Sequence, residues 1–164
     1  MHRRLTSNLP YYPSGNFTGT ATFTPHSSFS GSSYLYHETG EFLTDTGLVL
    51  RANQRYIYVH DTANEKISIW FTKSEGKGSF DAVTAPEDEE IDYLYMELEM
   101  ERNEAVGGWK GVGDHLCELD LYSGLYDFRV QGNRDGEEMR RFGIQYRVKG
   151  PEKDYLSETA FVKR

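Results

Sequence analysis

The sequence is short of several features that would place it in a familiar class. Its 164 residues include one cysteine, Cys117, which excludes an internal disulfide framework and is typical of a reducing compartment. No stretch approaches the roughly 20 apolar residues of a membrane-spanning helix. The basic N-terminus is not followed by the apolar run of a signal peptide. We therefore expect a cytoplasmic protein without a membrane partner.

Basic residues are also in the minority. The chain has 18 Lys and Arg against 26 Asp and Glu, a net charge of −8, which argues against a nucleic-acid partner because phosphates would be repelled. Hydrophobic residues make up only 37%, as in many disordered chains, but aromatic residues reach 14%. Disordered chains are poor in aromatic residues, so we expect an ordered single domain over residues 1–164 with a tyrosine-rich core.

Helical periodicity is scarce, and the dominant period is two. Apolar residues or glycine alternate with threonine from Phe17 to Thr24, and similar alternation runs through Arg55–His60, Lys66–Phe71 and Phe142–Lys149. Turn residues such as Gly150-Pro151 separate these segments. The pattern predicts an all-β protein of about ten antiparallel strands with little helix, closed into a barrel or folded as a sandwich.

One segment fits two structures. Residues 84–105 are rich in Glu, Leu and Met, with Pro86 where a helix would begin. Leu94, Met96, Leu98 and Met100, however, alternate strictly with Tyr95 and three glutamates. We expect this alternation to prevail, so that Ile91 to Glu101 forms a strand.

Two strings near the C-terminus carry a family resemblance. An H-x-C-x-x-D-x-Y string begins at His115, and a V-x-G-P-x-K-D-Y string begins at Val148. With the upstream segment Gly15–Phe23, they make the chain similar to the DUF6314 family of uncharacterised proteins from fungi and bacteria. The resemblance implies an antiparallel up-and-down β-barrel of calycin or lipocalin type, and it implies no established reaction.

The chain departs from the family in two places. The family pattern implies a Trp-containing strand before an Arg-x-Leu element, whereas this chain starts at that element, matched by Arg4-Leu5-Thr6-Ser7, so we expect the first strand to be shortened or missing. A shortened strand would leave an open sheet edge, through which a homodimer would form. The segment from Glu87 to Gly113 is long and acidic compared with the family, and we interpret the acidic and glycine-rich residues 84–113 as an extension of the barrel domain.

Three side chains are candidates for proton transfer. Glu38 lies on the same strand face as Tyr36, and burial would suit it to act as a general acid or base; a solvated or salt-bridged Glu38 is the alternative. His115 and Asp120 belong to the H-x-C-x-x-D-x-Y string, which we treat as one strand. The structural alternative for Asp120 is a network with Arg55 and Lys153 that closes the barrel.

A metal site would need more donors than the sequence offers. His115 and Cys117 share a strand face and are suitable ligands for a soft divalent ion, but no second closely spaced pair accompanies them. A buried Cys117 beside a hydrogen-bonded His115 is the simpler interpretation. We expect neither a metal nor a cofactor.

Tyrosine and tryptophan side chains that face a barrel interior would suit a small, mostly apolar or aromatic ligand. We therefore predict that the protein is a carrier or sensor for such a molecule. A cofactor-free isomerase, cyclase or hydrolase of secondary metabolism, and a structural or interaction barrel with a filled interior, are the alternatives. The predicted ligand-binding residues are Tyr36, Arg55, Tyr58, Trp70, Cys117, Tyr122, Lys153 and Tyr155.

Overall fold

The computed structural model describes residues 1–27, 32–73, 90–105, 107–133 and 136–163, and these contain ten β-strands and no helix. The strands are β1 His2–Ser7, β2 Gly15–His26, β3 Ser32–Thr44, β4 Val49–Asp61, β5 Lys66–Thr72, β6 Ile91–Asn103, β7 Gly108–Cys117, β8 Asp120–Asn133, β9 Gly136–Lys149 and β10 Asp154–Val162. Residues 91–101, in which apolar and polar side chains alternate, therefore lie in a strand, as predicted. The content of Glu, Leu and Met, which is also typical of helices, does not make this segment helical.

The ten strands close into one barrel. Each strand pairs antiparallel with its neighbours in sequence, and β1 also pairs with β10, so that His2 lies opposite both Thr18 and Ala160. This confirms the predicted up-and-down barrel of about ten strands. Full closure removes the exposed edges that an open sheet would present, except where one strand is shorter than its neighbours.

The first strand is shorter than the two strands that flank it. β1 has six residues, whereas β2 has 12 and β10 has nine. The predicted extension over residues 84–113 belongs in large part to the barrel wall, because β6 and the first residues of β7 lie within it. Residues 84–89 and 106 lie outside the described residues.

Aromatic rings pack one half of the barrel, which we call the lower half. The ring of Phe142 stacks on those of Phe128 and Phe161, with centroids 4.8 and 4.7 Å apart, and Phe23 contacts it at 6.2 Å. The turns that join β7 to β8 and β9 to β10 lie at the opposite, upper end. The lower half is therefore a packed core, and it leaves the upper half to form a site.

Among the described residues, the structure contains no helix with the length and apolar character needed to cross a membrane.

Candidate functional site

The upper half of the barrel encloses a cavity of about 370 Å³. Residues from β1, β3, β4, β5, β6, β7, β8, β9 and β10 line it, together with Tyr12 from the segment that joins β1 to β2. Its volume falls within the range typical of small-molecule sites. A barrel of this size thus combines a solid lower core with a chamber large enough for a small ligand.

Tyrosine is the commonest residue of the chamber wall. Ring faces pack in pairs, with Tyr12 stacked on Tyr155 at 5.3 Å and Tyr56 stacked on Tyr95 at 5.5 Å between centroids. Such rings offer a flat apolar face and a hydroxyl that can donate or accept a hydrogen bond. The eight tyrosines of the wall are Tyr12, Tyr36, Tyr56, Tyr58, Tyr95, Tyr122, Tyr146 and Tyr155.

Hydroxyl groups meet at the floor of the chamber. Tyr126 and Tyr146 are hydrogen-bonded to each other through their hydroxyls, and Tyr126 is completely buried. Burial raises the pKa of both phenols, and it also raises the pKa of Tyr58 and Tyr95. All four side chains therefore stay uncharged at neutral pH.

An ion pair crosses the chamber from β1 to β3. The guanidinium of Arg3 donates to both carboxylate oxygens of Glu38, at 2.9 and 2.8 Å, and its Nε donates to Thr159 at 2.8 Å. The Tyr36 hydroxyl donates to Glu38, whose side chain is only 3% exposed. Burial alone would lower the pKa of Arg3, but the attraction of Glu38 and the hydrogen bonds to it raise that pKa overall.

This pair changes what Glu38 can do. Both carboxylate oxygens already accept hydrogen bonds from a permanent cation, and one also accepts the Tyr36 hydroxyl, so Glu38 matches the salt-bridged alternative of the sequence analysis. Within the described part of the chain, Arg3 uses three of its five N–H groups in these bonds. Arg3 also lines the chamber, where the remaining N–H groups can serve a ligand.

The string that begins at His115 forms a hairpin rather than the single strand we expected. His115 pairs with Tyr122 and Cys117 with Asp120 across a two-residue turn in which Glu118 takes a φ of 56°. Because of this turn, His115, Cys117 and Tyr122 all line the chamber. Partial burial lowers the pKa of His115 and so favours its neutral form.

Asp120 does not line the chamber; it holds the turn between β9 and β10. Its carboxylate, 5% exposed as a residue, accepts the backbone N–H groups of Glu152 and Lys153 at 3.2 and 3.3 Å. The Lys153 ammonium lies 3.7 Å from the same carboxylate and 5.3 Å from the centre of the Tyr122 ring. These contacts match the structural alternative for Asp120, but without Arg55.

Two predicted ligand-binding residues face away from the chamber. Arg55 lies between Gln54 and Tyr56, and both of these neighbours line the chamber. Trp70 pairs with Ile57, and Phe71, the residue that follows Trp70, lines the chamber. In a strand, successive side chains point to opposite faces, so Arg55 and Trp70 lie on the outer face of the barrel wall, where both are half-buried. Of the remaining predicted ligand-binding residues, Tyr36, Tyr58, Cys117, Tyr122 and Tyr155 line the chamber and Lys153 lies beside Tyr122.

Sequence inspection missed several chamber residues, above all Arg3. A partial signal for it was present, because Arg3 directly precedes the family match at Arg4-Leu5 and lies two residues before Leu5, so that Arg3 and Leu5 share the strand face that lines the chamber. Gln54 donates a hydrogen bond to the Tyr56 hydroxyl at 2.7 Å, and no motif or pattern in the sequence indicated that it would line the chamber. Across the described residues, no group of three or more His, Cys, Asp or Glu side chains is placed to hold a metal ion.

Comparison with known proteins places the chain in one family. The model of a family described as "Family of unknown function (DUF6314)" matches residues 1–163. No curated protein and no solved structure matches the chain.

Proposed function

Because the chain belongs to the DUF6314 family, whose description assigns no function, we propose a function from the chamber itself: the protein binds a small, uncharged ring compound that carries oxygen acceptors. The observation that carries the proposal is the chamber of about 370 Å³ walled by eight tyrosines. Ring faces suit a planar ligand, and hydroxyls suit its oxygen atoms.

The charge of the chamber supports an uncharged ligand. Arg3 and Glu38 neutralise each other, and the lowered pKa of His115 favours a neutral imidazole. An ionic ligand would give up its hydration without meeting an uncompensated opposite charge, which is unfavourable in a buried site. Acceptor atoms, by contrast, would meet the tyrosine hydroxyls and the N–H groups that Arg3 does not use for Glu38.

Binding is favoured over catalysis as the role of this chamber. Glu38 is ion-paired and Asp120 holds a turn. Within the described part of the chain, His115 is therefore the one predicted proton-transfer residue that lines the chamber outside an ion pair. General acid–base chemistry usually combines two groups with complementary roles. We therefore propose a cytoplasmic carrier or sensor of calycin type, the same role that the sequence predicts.

Three ring-matched probes test the proposal. Isothermal titration calorimetry would compare chromone, which has a ketone, with 4H-chromene, which has a CH2 group in its place, and with chromone-2-carboxylate, which is charged. We expect saturable binding of chromone and at least about tenfold weaker binding of the other two, the size of effect that one or two lost hydrogen bonds produce. Equal binding of 4H-chromene would contradict the role of the hydroxyls, and equal or tighter binding of the carboxylate would contradict an uncharged ligand.

A matched pair of variants locates the binding. Cys117→Trp places a large ring inside the chamber, whereas Leu116→Trp places it on the outer face of the same strand, where Leu116 is 65% exposed. We expect the first to abolish chromone binding and the second to preserve it, with circular dichroism spectra showing that both fold. Native mass spectrometry of protein from its own cells would then identify the retained molecule. Binding that survives Cys117→Trp would exclude the chamber as the site.

A further inference from the structure

The lower end of the barrel has a gap in its wall. β1 pairs with β2 only at residues 15–18, while β2 continues to His26 and β10 to Val162. A notch of about 560 Å³ lies there, lined by β2, β9, β10 and Met1. Because β1 occupies the position between β2 and β10 in the upper part of the wall, we infer that the notch is one strand wide.

Backbone groups of β2 point into this notch. The ammonium of Met1 donates to the Gly19 carbonyl at 3.0 Å, and the Gly19 N–H donates to the Met1 carbonyl at 3.2 Å. In an antiparallel ladder, every second residue directs its N–H and C=O to the same side. Ala21 and Phe23 therefore present these groups to the notch, and within the described residues no backbone hydrogen bond reaches them from that side.

The side chains around the notch are apolar and partly exposed. Phe23 is 37% exposed although its ring contacts Tyr36 and Phe142, and Val162 is 68% exposed. Met139 lies beside them on β9 and is 39% exposed. These side chains would be covered by a strand whose apolar residues pack against them.

The charge of the notch is opposite to that of the whole chain. Arg140, Arg141 and Lys163 line it, and no Asp or Glu does among the residues whose side chains the structure describes, which leave out 131–138. The chain as a whole carries a net charge of −8. A cationic rim around an apolar slot favours an apolar segment with acidic residues at its ends.

We propose that the notch binds an extended peptide of a partner protein, which adds a strand antiparallel to β2. Its backbone would exchange hydrogen bonds with Ala21 and Phe23, its apolar side chains would cover Phe23 and Val162, and an acidic residue at its end would meet Arg141. Pro25 lacks an N–H, so the added strand is short, of about five residues.

A second copy of the chain fits this slot less well. Each of the other strands of a second copy pairs with a neighbour on both sides of its own closed barrel over at least part of its length. Its β2 edge is recessed beside β10 in the same one-strand gap. The homodimer that the open edge predicts is therefore an alternative outcome of the test, and we expect the separate peptide.

Fluorescence polarisation with the full chain tests the proposal directly. The probe is a fluorescein-labelled peptide of sequence Asp-Ile-Thr-Ile-Thr-Ile-Glu, and its control has proline in place of the central isoleucine. We expect saturable binding of the first and none of the second. Arg141→Glu should weaken binding by about tenfold, whereas Lys110→Glu, an exposed cation on β7, should not. Absence of binding by the first peptide would overturn the proposal.

Amide hydrogen exchange identifies the edge without any substitution. In the free protein the amides of Ala21 and Phe23 should exchange fast, and the amides of Thr20 and Thr22, which point towards β3, should be protected. The peptide should slow exchange at Ala21 and Phe23 by at least about tenfold. Binding without this protection would place the peptide elsewhere. Protection without peptide, together with a dimer in sedimentation, would assign the edge to a second copy; either result would overturn the proposal.

Discussion

A single glutamate decides the chemistry of the chamber, because its carboxylate is buried and its partners come from distant parts of the chain. Glu38 on β3 meets Arg3 on β1, and Arg3 in turn reaches Thr159 on β10. Three strands are thus tied together by one cation. Removing either member leaves the other charge without its partner in a place that water reaches poorly.

Glu38→Gln should lower the free energy of unfolding by about 3 kcal/mol, because it leaves the Arg3 cation without its counter-charge. Urea unfolding followed by circular dichroism measures this loss. Glu41→Gln, an exposed glutamate on the same strand, is the control and should change stability little. The combined variant Arg3→Met, Tyr36→Phe, Glu38→Leu should recover most of the loss, and a full loss in that variant would contradict the pairing argument.

At the scale of the element, one carboxylate holds the turn between β9 and β10. Asp120→Ala should cost about 2 kcal/mol of unfolding free energy, because two backbone N–H groups of the turn lose their acceptor. Asp120→Asn keeps an acceptor oxygen and should cost clearly less. Thermal unfolding compares the two, with Asp114→Ala on the exposed face of β7 as control. Equal losses from both Asp120 substitutions would indicate that its charge, and not its hydrogen bonds, holds the turn.

Strands were predictable from the sequence because their alternation is local. Side chains of period two identified β2, β4, β5, β6 and β9, and the same alternation placed Tyr36 and Glu38 on one strand face, which lines the chamber in the structure. Alternation does not say which face is inner, since aromatic and polar residues occur on both. Arg55 and Trp70 were assigned to the chamber for that reason, and the structure places them outside.

Turns and bulges were less predictable. The turn at Glu118 contains no Gly, Asn or Pro, although Glu118 takes a positive φ that those flexible residues usually supply, so His115 and Asp120 looked like parts of one strand. On β6, the register shifts opposite Ile69 and Trp70, and Met96 and Tyr95 are consecutive residues that are both buried. Bulges reverse the alternation after them. The pairing of Arg3 with Glu38 joins strands that are distant in sequence and is invisible to local patterns.

At the scale of the whole molecule, the burial of tyrosine side chains predicts that the folded protein loses stability at alkaline pH. Burial raises the pKa of seven of the twelve tyrosines, including Tyr36 and Tyr126, above the ordinary value of 10.0. Above about pH 10 the unfolded chain therefore loses protons that the folded chain keeps, and stability falls as pH rises. Below that pH the contribution of these phenols to stability is fully present.

An alkaline titration should therefore unfold the protein in one cooperative step, with the tyrosinate absorbance and the circular dichroism signal changing together. Tyr146→Phe should weaken the pH dependence, because it removes one phenol of raised pKa. Tyr11→Phe, which removes an exposed tyrosine, is the control. Gradual ionisation of the buried tyrosines while the circular dichroism signal stays native would contradict the prediction.

The closed ring of strands also has a consequence for the order of folding. Nine of the ten strand pairs join neighbours in sequence, and the tenth joins β1 to β10. Hairpins between neighbours close short loops, whereas this last pair must bring the two ends of the chain together, which costs more chain entropy. The seam between β1 and β10 should therefore form last. Arg3 lies in that seam, so the ion pair that sets the charge of the chamber is also the contact that completes the barrel.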